Sequence, residues 1–144
     1  MNKANRFLYS FLGLVIFQMF ISMEEIIGHF PIWISLFTEK LHQRMSFIPL
    51  LQINDQVFMF LSLIIIIVFF VFLAFIFLES KWSRILAIII GFIEIINGGF
   101  HILASFYFMQ YIPGSVSAIG LIFFGVLVII IKPSFRREET EEVN

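Results

Sequence analysis

The feature that most constrains the fold is the run of residues 56–78, which is apolar and carries no charged side chain. A helix needs about 20 apolar residues to cross a hydrocarbon layer about 30 Å thick, and this run is long enough. Three further stretches, 7–27, 85–109 and 115–131, are mainly apolar, the last of them short but adequate. The sequence therefore predicts an all-α integral membrane protein, a four-helix transmembrane bundle in a single domain over residues 1–131.

The composition excludes the soluble alternatives. Hydrophobic residues make up 60% of the 144 residues and charged residues only 13%, whereas soluble domains contain about half and about a quarter. The net charge of -1 argues against nucleic acid as a partner. We therefore expect membrane lipid to surround the protein.

The distribution of basic residues predicts the orientation. The first span could be mistaken for a signal peptide, but it ends in Met23-Glu24-Glu25 without a small-residue cleavage site, so we expect a retained anchor. Lys40 and Arg44 fall on one predicted side, and seven basic residues fall on the other: Lys3, Arg6, Lys81, Arg84, Lys132, Arg136 and Arg137. Because basic residues favour the cytoplasmic side, we expect a multi-pass protein of the cell membrane with both termini in the cytoplasm.

The connection between the first two spans has helical periodicity. Apolar residues recur every four positions from Trp33 to Met45, which predicts an interfacial amphipathic helix over about residues 32–45, with Pro31 in its first turn. Asn54 and Asp55 then resemble an N-terminal cap for the second span. Residues 132–144 lack apolar periodicity, which predicts a disordered cytoplasmic tail.

The third span carries a polar stripe. A projection at 100° per residue places seven residues within an arc of about 120°: Ala87, Gly91, Glu94, Asn97, Gly98, His101 and Ser105. Small residues allow a neighbouring backbone to approach closely. A charged group at membrane depth costs about 2.5–3.5 kcal/mol, so we expect Glu94 to be protonated or partnered inside the bundle.

The first span offers partners for this stripe. Gln18, Ser22, Glu25 and His29 follow one another at spacings of four, three and four residues, which places them on one face of a helix. At 1.5 Å per residue, Glu25 lies about 28 Å above Arg6, and His101 lies about 25 Å above Arg84. We therefore expect the first and third spans to touch, with the Glu25 and His101 side chains within about 6 Å, a range over which charges influence each other.

Several short motifs, in this order, resemble the HXXEE domain family of small membrane proteins. They are Met23-Glu24-Glu25, Gly28-His29-Phe30-Pro31-Ile32-Trp33, Asn97-Gly98-Gly99-Phe100-His101 and Tyr111-Ile112-Pro113-Gly114. The first position of the His-x-x-Glu-Glu motif falls on Ile21, so the histidine that names the family is missing here. The resemblance implies a shared site built from the two acids, Asn97 and His101, but it implies no reaction.

Two classes of function fit these residues. The chain has no cysteine, so chemistry falls to Glu, Asn and His. In the first class, Glu25, His101, Asn97 and Glu94 form a catalytic site for acid-base chemistry on a small lipophilic molecule. A variant of this class holds Zn, Mn or Fe between carboxylates and imidazoles, for which the candidate ligands are Glu24, Glu25, His29 and His101. In the second class, a small transporter or accessory subunit uses the same residues as a proton relay or to lock helices together.

Overall fold

The computed structural model describes residues 3–77 and 81–131, and all regular structure in these ranges is helical. The predicted disordered tail lies outside the described residues. The five helices are α1 (Lys3–Ile27), α2 (Phe30–Arg44), α3 (Asp55–Ile76), α4 (Lys81–Phe108) and α5 (Ser115–Ile130).

Three of these helices are long and apolar enough to cross a membrane. The suitable segments are Asn5–Ile27 in α1, Asp55–Ile76 in α3 and Trp82–Phe108 in α4. The prediction of four such helices is too high, because α5 has 16 residues and reaches only about 24 Å at 1.5 Å per residue. It is an apolar helix, but it is shorter than the usual hydrocarbon thickness.

The helix starts follow local chemistry. His29 adopts the left-handed conformation (φ 49°) between α1 and α2, and Pro31 lies in the first turn of α2, as its fixed φ favours. Asn54 caps α3, since its side chain accepts a hydrogen bond of 2.6 Å from the Gln56 amide. The cap predicted at Asn54 and Asp55 is thus formed by Asn54, because Asp55 is already the first helical residue.

Helices α1, α3, α4 and α5 form a bundle in which α1 and α4 lie on a diagonal. Both α1 and α4 pack against α5 on one side and against α3 on the other. Along α5, Gly120 meets Phe17 of α1, while Phe124 meets Gly13, so these two helices are antiparallel. The contact of Gly91 with Gly125 and that of Gly98 with Ala118 make α4 antiparallel to α5 as well. Thus α1 and α4 run in the same direction and face each other across the bundle.

Small residues bring α4 and α5 close together, as the stripe predicts. A Cβ atom on Gly125 would lie 2.9 Å from the Gly91 carbonyl oxygen, so the two backbones are nearly in contact. The bundle interior includes an apolar cluster contributed by all four helices, with Phe11, Leu14 and Val15 from α1, Phe69 and Ile76 from α3, Ala87 and Ile90 from α4, and Leu121 and Val128 from α5. Buried polar side chains, among them Glu25 and His101, lie nearer the α4–α5 loop.

Helix α2 packs its predicted apolar stripe against the end of α4. Trp33 and Phe37 both contact the ring of Phe108. The ammonium group of Lys40 lies 4.4 Å from the centre of that ring, a cation–π contact. These contacts fix α2 beside the end of the bundle where the polar residues lie.

Candidate functional site

Glu25 and His101 meet across the bundle diagonal. Glu25 Oε1 lies 3.0 Å from His101 Nε2, which confirms the contact predicted from their equal depth. Both residues are buried, His101 with only 1% of its surface exposed. Helices α1 and α4 therefore meet through these side chains, although their backbones lie at opposite ends of the bundle diagonal.

The other ring nitrogen of His101 determines its tautomer. His101 Nδ1 lies 2.8 Å from the carbonyl oxygen of Pro113. A carbonyl oxygen only accepts, so Nδ1 carries a hydrogen. When the ring is neutral, Nε2 is then an acceptor, and Glu25 must be the protonated partner that donates. When the ring is charged, Nε2 donates to the Glu25 carboxylate. In both states one proton lies between the two side chains and the pair has no net charge.

Neighbouring groups hold the imidazole in place. The ring of Phe30, at the start of α2, lies 4.8 Å from the imidazole centre. Gly114 also lies against the ring, with φ 95°, a backbone conformation that glycine adopts without penalty. A Cβ atom at Gly114 would lie 2.6 Å from His101 Nδ1, so a side chain there would strike the ring.

Glu94 and Asn97 form a second polar group on α4. Asn97 Nδ2 donates a hydrogen bond of 3.2 Å to Glu94 Oε2, so the predicted partner of this buried acid is on its own helix. Glu94 lies within electrostatic range of Glu25 and His101. The four residues predicted as a catalytic set thus lie in one region, as two bonded pairs.

Gln18 and Ser22 continue the polar stripe of α1 next to Glu25. Both are buried, and Gln18 Nε2 lies 3.5 Å from Ser22 Oγ at the limit of a hydrogen bond. Gln18 Oε1 is buried and has no hydrogen-bond partner among the described residues. This acceptor lacks the partner that buried polar atoms normally have.

Glu24 has different hydrogen-bond partners from its neighbour Glu25. Its carboxylate accepts hydrogen bonds from Tyr111 Oη at 2.9 Å and from the Gly114 amide at 3.0 Å, and a further one from Ser117 Oγ. These donors belong to the α4–α5 loop and the first turn of α5. A helix N-terminus attracts a negative charge, so the Glu24 carboxylate stabilises the contact between α1 and the N-terminal end of α5. Sequence reasoning missed Tyr111, Gly114 and Ser117, although Tyr111 and Gly114 belong to a motif that the family resemblance marked.

Of the four candidate metal ligands, Glu25 and His101 meet, but His29 and Glu24 have other partners. His29 Nδ1 lies 2.8 Å from Asp55 Oδ2 in an exposed pair at the start of α3, away from Glu25. Glu24 is engaged by α5, and Glu25 by His101. Across residues 3–77 and 81–131, the structure contains no group of three or more His, Asp or Glu side chains that could hold a metal ion.

Comparison with known families identifies the chain. The model of a family described as a protein of unknown function with HXXEE motif matches residues 12–129. The chain belongs to the HXXEE family. No curated protein and no solved structure matches it.

The HXXEE geometry explains why two adjacent acids occur in this chain. Successive helical residues point about 100° apart, so Glu24 faces α5 and Glu25 faces α4. Ile21, which the resemblance places at the position of the family's histidine, is fully buried in the apolar cluster of the bundle. Ile21 therefore contributes packing to the bundle.

A cavity lies at the surface of the same end of the bundle. It has a volume of about 450 Å³, within the range of sites for small molecules. Its wall is mainly apolar, with the hydroxyl groups of Ser105 and Ser115 among its lining. Ser115 Oγ donates to the backbone oxygen of His101 at 3.3 Å, so the cavity is adjacent to the backbone that carries the imidazole.

Proposed function

We propose that this HXXEE-family protein is a multi-pass membrane protein in which Glu25 and His101 share a proton and lock α1 to α4 and the α4–α5 loop. Its role is then a non-catalytic one, as a small transport protein or an accessory subunit, with this pair as the proton-holding element. We place α1, α3 and α4 across the cell membrane, with the shorter α5 packed against α1 and α4, both termini on the cytoplasmic side and α2 in the outer interface.

The observation that carries the proposal is that both nitrogens of His101 are occupied. Nδ1 donates to Pro113 and Nε2 faces Glu25, and the ring is buried. A histidine in this arrangement offers no free nitrogen to a substrate. Together with Glu25 it can hold a proton inside the bundle, where an isolated charge would be costly, because the pair stays neutral in either protonation state.

Histidine nitrogen spectra test the shared proton. In a His29→Asn, His42→Gln background, His101 is the remaining histidine of the chain, and asparagine suits the left-handed conformation at position 29. For this protein labelled with ¹⁵N-histidine in lipid nanodiscs, we expect Nδ1 to be protonated throughout the pH range in which the fold is retained. We expect Glu25→Gln to shift the Nε2 resonance, because a carboxamide donates a hydrogen bond but cannot exchange its proton with the ring.

The matched control is Glu39→Gln, because Glu39 is an exposed glutamate on α2. It should leave the His101 resonances in place. A spectrum with hydrogen on Nε2 and a bare Nδ1 would contradict the proposal, and so would a Glu25→Gln spectrum equal to that of the parent.

The cavity beside the site supports a second candidate, acid-base chemistry on a small lipophilic molecule. Such a molecule would enter between α4 and α5 past Ile119 and Met109, which line the cavity. In this case Glu25 would be the reacting group, because its second carboxylate oxygen is not bonded to His101. The loop near Gly114 would have to move to open the way.

Filling the cavity tests this candidate. Ile119→Trp should remove a bound lipophilic compound from the purified protein, as measured by solvent extraction and mass spectrometry. Ile130→Trp is the control, since Ile130 has the same exposure on the same helix and is not among the residues lining this cavity. Equal extracts from both variants and the parent would argue against a ligand in the cavity.

Single cysteines test the proposed orientation, since the chain has none of its own. Trp82, at the start of α4, and Phe47, between α2 and α3, are both highly exposed. With impermeant maleimide on intact cells, we expect Phe47→Cys to be labelled and Trp82→Cys to react only after lysis. Labelling of position 82 from outside would overturn the orientation.

A further inference from the structure

The buried oxygen of Gln18 lies beside the polar stripe of α4. The contact of Glu25 with His101 sets the level of α1 against α4, which run in the same direction. Gln18 and Glu94 each come seven residues earlier on their helix, so Gln18 lies at about the level of the Glu94–Asn97 pair. Ser22, one turn further along α1, lies between that level and the Glu25–His101 pair. The unpartnered acceptor is thus buried on the polar stripe that leads from Glu94 to Glu25.

The diagonal arrangement leaves the centre of the bundle to side chains. Helices α1 and α4 both pack on α3 and α5 rather than on each other, and their polar stripes point inward. Gln18, Ser22, Glu25 and Glu94 are all buried. A buried water needs two to four polar partners, and these side chains supply a sufficient number of oxygen atoms.

We propose that the bundle holds an internal water molecule at Gln18 Oε1, and that this water connects Glu94 with the Glu25–His101 pair in a hydrogen-bonded chain able to pass a proton. The inference rests on the proposed proton-sharing pair and extends it by one turn into the bundle. The water donates one hydrogen to Gln18 and its second to a carboxylate, and its oxygen accepts from a protonated acid. Moving a proton along the chain exchanges one O–H bond for another and leaves no net change in charge.

The sign of a stability change distinguishes a water site from an unsatisfied amide. Gln18→Met keeps the length and approximate volume of the side chain but removes the acceptor, together with the amide nitrogen that lies 3.5 Å from Ser22 Oγ. If Gln18 Oε1 holds a water, the substitution strands that water and lowers the unfolding midpoint. If the oxygen is truly without a partner, its removal raises the midpoint, because a buried unsatisfied group is costly. A raised midpoint overturns the proposal.

Deuterium exchange provides the second readout. After transfer of the protein in nanodiscs to D₂O, infrared spectra follow the shift of the protonated carboxyl band, which Glu94→Gln and Glu25→Gln assign. Gln18→Met should slow this exchange about tenfold or more, because exchange then needs opening of the bundle. Ile16→Met on the lipid-facing side of α1 is the control and should change neither readout. An unchanged exchange rate in Gln18→Met overturns the proposal.

One measurement on the unaltered protein does not depend on the folding of a variant. In H₂¹⁸O, the stretching band of an internal water shifts, and we expect such a band in the wild-type protein. Its absence overturns the water site. The ¹⁵N spectra of His101 are independent of Gln18, so failure of the water site and failure of the proton-sharing pair can be told apart.

Discussion

Replacing Glu24 should separate the charge of this residue from its hydrogen bonds. The two carboxylate oxygens have different partners: Oε2 accepts from Tyr111 and from the Gly114 amide, and Oε1 accepts from Ser117. In Glu24→Gln, the remaining oxygen can keep both partners of Oε2. The new amide can donate to Ser117, whose hydroxyl group also accepts. Glu24→Ala removes every acceptor.

The structure sets the expected magnitudes. Each lost hydrogen bond costs about 1 kcal/mol in unfolding free energy, so the loss of three makes Glu24→Ala about 3 kcal/mol less stable. Glu24→Gln loses only the attraction between a negative charge and the N-terminus of α5, which contributes about 0.3–1 kcal/mol. The alanine variant should therefore be destabilised at least about three times as much as the glutamine variant.

Reversible unfolding in mixed micelles of a mild detergent and SDS measures both values. Glu39→Gln and Glu39→Ala on the exposed face of α2 are the controls, with expected changes below about 0.5 kcal/mol for a surface site. Equal destabilisation by Glu24→Gln and Glu24→Ala would refute the reasoning, because it would mean that charge, not the number of acceptors, holds α5.

Three other substitutions follow from the same structure. Gly114→Ala should destabilise the fold by more than about 1 kcal/mol, because it combines a left-handed backbone with a contact on His101, whereas Gly99→Ala, where a Cβ meets nothing within 4 Å, should be neutral or stabilising in the same SDS titration. Burial and the hydrogen bond to Glu24 raise the pKa of Tyr111, so its contribution to stability should be present below about pH 10 and lost as pH rises further; Tyr111→Phe should lack that alkaline loss in thermal unfolding. Glu94→Gln should stay within about 1 kcal/mol of the parent in unfolding free energy, while Glu94→Leu should cost more, because it leaves the Asn97 amide without its acceptor; equal values would contradict a structural role for that hydrogen bond.

The contact between Glu25 and His101 could be predicted because it depends on two regular quantities. Helical rise gives the depth of each residue, and helical periodicity gives the face on which it lies. Both apply as long as the helix continues. His29 shows the limit of this reasoning: α1 ends at Ile27 and His29 is left-handed. The projection that placed it with Glu25 no longer holds there, and His29 pairs with Asp55 instead.

The role of Glu24 could not be predicted in the same way. The projection gives its direction relative to Glu25, but not what lies in that direction. The donors come from a loop about 90 residues further along the chain, and one of them is a backbone amide, which leaves no trace in the residue types. The bounds of α5 are nearly as predicted, Ser115–Ile130 against 115–131. The error concerns its length, because a helix of 16 residues is shorter than the roughly 20 residues that a membrane span needs.

The Pro113 oxygen and the Gly114 amide hydrogen belong to one peptide group. His101 donates to its oxygen, and its N–H donates to Glu24, so the two adjacent acids of α1 are joined through a single peptide plane and an imidazole ring. Hydrogen bonds in such a series polarise one another: negative charge at Glu24 makes the Pro113 oxygen a better acceptor and holds the hydrogen on Nδ1 more firmly. A carboxylate that does not contact the histidine thus takes part in selecting its tautomer, and a rotation of this one peptide plane would break the bond from Gly114 to Glu24 and the bond from His101 to Pro113 at once.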